Sequence, residues 1–106
     1  MRLRHATPSR NLASILKRGL LCRKSRGRLP VVWLHAPGKT SWATLHTVRR
    51  HGGRVQDVIV FEVNVPARWL RRSSRHGLWC VRRDVPPARL RRLLHFHELA
   101  ASPLAA

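Results

Sequence analysis

Acidic side chains are almost absent from this chain: four Asp plus Glu stand against 22 Lys plus Arg in 106 residues, a formal charge of +18. That scarcity removes most chemistry built on paired carboxylates, because glycoside hydrolysis and two-metal hydrolysis each need several acids facing one centre. Two cysteines, Cys22 and Cys80, are too few for a disulfide scaffold, and without a CxxC pair structural zinc has no thiol nucleus. No apolar run approaches the roughly 20 residues of a membrane-spanning helix, so a membrane is not among the expected partners. The first residues, Met1-Arg2-Leu3-Arg4-His5, lack the apolar stretch of a secretory signal, and the expected compartment is reducing and cytoplasmic. Neither GxGxxG nor the GxxxxGK signature of a P-loop occurs, which removes the dinucleotide Rossmann fold and the P-loop fold.

What is present is enough for one domain, read as residues 1–100 with a short Ala- and Pro-containing tail over 101–106. Hydrophobic residues make up 43% of the chain and four are Trp, so a core can form despite the charge. A charge of +18 lies far outside the roughly 2–8 units of an ordinary small surface, and such self-repulsion calls for an anionic partner. The cations are nearly all arginine, whose planar fork suits phosphate; Lys17, Lys24 and Lys39 are the lysines. Heavy arginine use beside many Ala and Pro can also reflect a GC-rich gene.

Along the chain, Arg2 to Ala6 can open a strand. Thr7-Pro8 is read as a helix start, a hydroxyl N-cap followed by proline at the first helical position. Leu12, Ile15 and Leu16 follow at helical spacing, and Gly19 closes the helix. Val31 to Leu34 is a short apolar strand ended by Pro37-Gly38. Thr40 or Ser41 caps a second helix, with Trp42, Leu45 and Val48 on one face and Gly52-Gly53 at its end. Asp57 to Val65 is the strongest strand, stopped by Pro66. Leu78 to Val81 is another, Pro86-Pro87 starts a turn, and Leu90 to Leu99 fits either a helix or a strand. This order predicts an α+β fold with two helices at one end of a largely antiparallel sheet.

Among the acids only Glu62 sits inside an apolar strand, and its ordinary role there is to pair with an arginine on a half-exposed face. None of the seven histidines shows zinc-enzyme spacing, so no metal is expected, although His95 and His97 would share a face of a strand. Ser73-Ser74, set among arginines, can face a phosphate but does not form a nucleophile elbow.

The block Leu3-Arg4-His5-Ala6-Thr7-Pro8, followed by Asn11-Leu12, Ile15-Leu16 and Gly19-Leu20, resembles the start of the ADP-ribosyltransferase fold. It is most similar to the catalytic lobe of the RNA 2'-phosphotransferase family and to DNA-targeting ADP-ribosyltransferase toxins. Gly77-Leu78-Trp79-Cys80, with Val85-Pro86-Pro87 after it, is similar to a second stretch of the phosphotransferases. The resemblance implies a small split antiparallel sheet with two helices and NAD as cofactor. It gives His5 a hydrogen bond to the ribose next to nicotinamide, with Thr7, Trp33 and His35 lining the same end of the site. Core packing is an equally good reading of Trp33. Ala6 stands where the family has Gly, and the glutamate of many ADP-ribosyltransferases would fall near Leu78.

A phosphate nucleophile is already anionic and needs no carboxylate base, so arginines that orient it suffice. His5, Arg28, Arg75 and His76 are the catalytic candidates, and Arg26, Arg49, Arg50, Arg71 and Arg72 are candidates for phosphate or nucleic acid. The expected function is therefore NAD-dependent transfer of ADP-ribose, or of a 2'-phosphate, with RNA or DNA or a phosphorylated end as partner. Two alternatives stand beside it. One is a non-catalytic arginine-rich nucleic-acid-binding module of the same fold, using Trp42, Trp69 or Trp79 to stack bases. The other is an interaction protein whose basic face meets an acidic partner.

Overall fold

A computed structural model describes residues 1–25, 29–94 and 99. The chain is α+β. Six strands form one antiparallel sheet: β1 (Arg2–Pro8), β2 (Val32–His35), β3 (Val58–Asn64), β4 (Leu70–Arg72), β5 (Leu78–Val81) and β6 (Leu90–Leu93), in the order β4-β5-β2-β1-β3-β6. Two helices accompany it, α1 (Leu12–Arg18) and α2 (Thr40–His51).

The central ladder joins β1 to β3 over seven residue pairs, from Arg2↔Asn64 to Pro8↔Val58. Period-two alternation places Leu3 opposite Val63, His5 opposite Phe61 and Thr7 opposite Ile59 on one face of the sheet. The main core forms there: Leu3, Phe61 and Val63 pack with Leu34, Val81 and Ile15 of α1, and Phe61 is only 1% exposed. The opposite face of β1 carries Arg4, and the buried Arg4 guanidinium donates from Nη1 to Thr40 Oγ1 of α2 at 3.0 Å. The two helices thus cover opposite faces of β1, which corrects the expectation that they share one end.

Several local readings also change. Thr7-Pro8 does not cap α1 but closes β1, because seven residues of β3 hold that segment extended; a 3-10 turn over Ser9–Asn11 leads into the helix instead. Thr40 is the first residue of α2 and makes no cap; its hydroxyl donates to the Pro37 carbonyl at 2.8 Å. The buried face of α2 is Thr40, Ala43 and Thr47, while Trp42 and Leu45 are exposed. Small side chains let the helix approach β1 closely. The Thr44 and Thr47 hydroxyls donate to the carbonyls of Thr40 and Ala43, so this polar face is buried with its bonds made. Strand β4 was not expected, and Leu90–Leu93 resolves as strand. No helix among the described residues is long and apolar enough to cross a membrane. Arg26, Arg28, His95, His97 and the 101–106 tail lie outside the described residues.

Candidate functional site

The sheet is nearly divided at its middle. Between β1 and β2 the one registered pair is Arg4↔His35, whereas β2 pairs β5 over four residues. Past Arg4 the two strands separate, and a side chain replaces the missing ladder: His5 Nδ1 donates to the Trp33 carbonyl at 2.7 Å. A carbonyl can only accept, so the proton sits on Nδ1, and in the neutral ring Nε2 is left as an acceptor. Burial holds the His5 imidazole below its usual pKa, offset in part by the bond to Trp33, so the neutral form is the one at pH 7.

A cleft of about 610 Å³ opens along this split, within the roughly 300–1,000 Å³ span of small-molecule and cofactor sites. Its lining divides by element. Strands β1 and β2 give His5, Thr7, Trp33 and His35; α1 and the residues after it give Ser14, Lys24 and Ser25; α2 and the β4–β5 turn give Trp42, His46, Arg50, Ser73, Ser74 and Arg75. Lys24, Arg50 and Arg75 supply positive charge, and no Asp or Glu is among the described lining residues. The described acids are elsewhere. Asp57 bonds the Arg54 backbone, Asp84 accepts from the Cys22 N–H at 2.8 Å, and Glu62 faces Arg91 at 3.4 Å, the ordinary strand-face pairing.

His35 is buried and bonds to α2. The Thr40 hydroxyl gives its proton to Pro37, so His35 Nε2 is the donor across the 3.4 Å to Thr40 Oγ1. Burial, with the charges of His5 and Arg4 adding to it, pushes the His35 pKa down to about 3. It is a neutral wall of the site. Trp33 is 46% exposed and is not a core residue, which removes the packing reading. Leu78 also lines the cleft.

The stretches quoted for the resemblance come together around this opening. Leu20 and Val85 exchange both backbone bonds (2.9 and 2.8 Å), and the Ala36 N–H donates to the Gly77 carbonyl at 2.9 Å. Of the candidates, His5, Thr7, Trp33, His35, Arg50 and Arg75 share the cleft. Arg49 on α2, Arg71 and Arg72 on β4 and the exposed His76 lie outside it, and Arg26 and Arg28 are not described.

The sequence pattern does not single out Trp42 and His46 as a pair. Their rings stack at 5.0 Å and 11°, and their spacing of four on a helix was the available signal. Trp69 and Trp79 are not open base platforms: Arg83 lies 3.8 Å from the Trp69 ring, and Trp79 packs on the core. Among the described residues no three His, Cys, Asp or Glu side chains converge as metal ligands. No protein-family model and no curated protein matches the chain.

Proposed function

We propose that the chain is an NAD-binding transferase of the ADP-ribosyltransferase type, related to the RNA 2'-phosphotransferases, that acts on phosphate groups of a nucleic acid. The observation that carries this reading is the bond from His5 to the Trp33 backbone at the split of the sheet, which holds a neutral acceptor imidazole in the same basic cleft that the exposed Trp33 side chain lines. Those residues fit NAD: Nε2 of His5 accepts from a ribose hydroxyl, Trp33 offers a flat apolar face to nicotinamide, and Lys24 offsets pyrophosphate charge. Bound NAD supplies an electrophilic ribose carbon and nicotinamide as leaving group. The protein's share is positional and electrostatic. The described lining residues include cations but no carboxylate, a setting that suits a nucleophile already anionic. Arg50 and Arg75 can orient a phosphate and offset its charge.

The test is NAD binding by calorimetry, together with nicotinamide release in the presence of phosphorylated RNA or DNA. Wild type binds NAD and turns over, and His5→Ala lowers kcat/KM by about 100-fold, the scale of one lost positioning contact. Absent NAD binding, or a His5→Ala variant equal to wild type, overturns the reading.

A further inference from the structure

On the α2 side, the cleft carries groups that the binding of NAD does not use. Trp42 stacks on His46, so one face of the indole is covered, yet the residue remains 36% exposed. Arg50 from the end of α2 and Arg75 from the β4–β5 turn line the cleft, as do Ser73 and Ser74 of that turn. We propose that this arm of the cleft is the docking site for an unpaired nucleotide of a single-stranded nucleic acid, its base on Trp42 and its phosphate between Arg50 and Arg75. The inference rests on the transferase reading and names the strand state of the acceptor.

Three observations argue for it. An indole with one face open can stack any base, but only a base already free of its complement. The wall is concave and lies in a cleft of about 610 Å³, which admits a nucleotide and excludes a duplex. Burial first, then the charges of Arg50, Arg75 and Arg49, hold the His46 imidazole under Trp42 below its usual pKa, so cations from α2 and from the β4–β5 turn both act on this ring. A track leads outward as well. Arg71 on β4 pairs with Cys80, and Cys80 with Trp33, which places exposed Arg71 on the same sheet face as the indole at the cleft.

The experiment measures anisotropy of a labelled oligonucleotide, single-stranded or annealed to its complement, titrated with the full chain in the absence of NAD. The single strand binds at least about tenfold more tightly, the scale of one stacked base. Trp42→Ala abolishes that preference and Trp42→Phe retains it. Arg75→Ala makes the log–log salt dependence shallower by about 0.7, the value for one phosphate contact on a single strand. Trp42 and Arg75 are both exposed, so neither substitution opens the core. Equal affinity for duplex, or a preference that survives Trp42→Ala, overturns the docking site. NAD titrated into the same samples separates the two ideas: bound NAD without strand preference removes the docking site alone, and strand preference without NAD binding removes the transferase reading.

Discussion

Gly19 lies against the carbonyl of Val85, so closely that a Cβ on this glycine would stand 2.0 Å from that oxygen. Its φ of 80° adds a second demand, since side-chain-bearing residues rarely adopt it. The contact joins the end of α1 to the Val85-Pro86-Pro87 turn, and with the Leu20–Val85 bonds it fixes one rim of the cleft. Gly52, at the end of α2, has the similar φ of 77° but nothing within 4 Å. Gly52→Ala is therefore expected to cost about 1 kcal/mol and Gly19→Ala more than about 3 kcal/mol. Urea denaturation of the two variants checks it; equal losses would show that the close approach to Val85 is not what constrains Gly19.

How far the residues alone foretold this architecture depends on what each element rests on. Strand β3 and the ends of both helices follow from local pattern: a β-branched run, and glycines whose positive φ stops a helix. Thr7-Pro8 does not, because the same two residue types suit a helix start and a strand end. Pairing with Val58 and Ile59, some fifty residues away, decides between them. Strand β4 is three residues long with two arginines, and it exists because the turn after it returns to β5.

The site divides in the same way. His5 and Thr7 share a face of β1, as do Trp33 and His35 on β2, by simple alternation. That Arg50 and Arg75 line one cleft depends on where α2 ends and how the β4–β5 turn is aimed, which no local pattern encodes. Spacing puts Trp42, Leu45 and Val48 on one face of α2, yet the helix buries Thr40, Ala43 and Thr47, whose small size permits the close contact with β1.

The exposure of Trp33 separates binding from folding. At 46% exposure its removal opens no enclosed cavity, so Trp33→Ala should cost less than about 1.5 kcal/mol of stability. Phe61, on the neighbouring β3 at 1% exposure, should cost about 3–5 kcal/mol when cut to Ala. For NAD the order reverses: Trp33→Ala weakens binding at least about tenfold through loss of the stacking face. Denaturant midpoints set beside calorimetric titrations measure both quantities. A Trp33→Ala variant as unstable as Phe61→Ala would return the indole to the core.

His35 links the site to acid stability. Its imidazole titrates near 3 in the folded chain against 6.5 in the unfolded chain, so the unfolded state takes up a proton first as pH falls. The stabilising contribution of the neutral ring is fully present above pH 6.5 and declines by about 1.4 kcal/mol per pH unit below it, until about pH 3. His5, whose pKa is also lowered by burial, adds to the slope in the same direction. His35→Gln keeps an amide donor for Thr40 Oγ1 and has no titrating group. Urea midpoints taken from pH 7 to pH 5 should fall steeply for wild type and much less for this variant. The interval stays above the carboxylate range, where Asp84, held below its usual value by the Cys22 N–H, would begin to contribute. Parallel slopes for wild type and His35→Gln would place the acid sensitivity elsewhere and leave His35 without the neutral state that its burial implies.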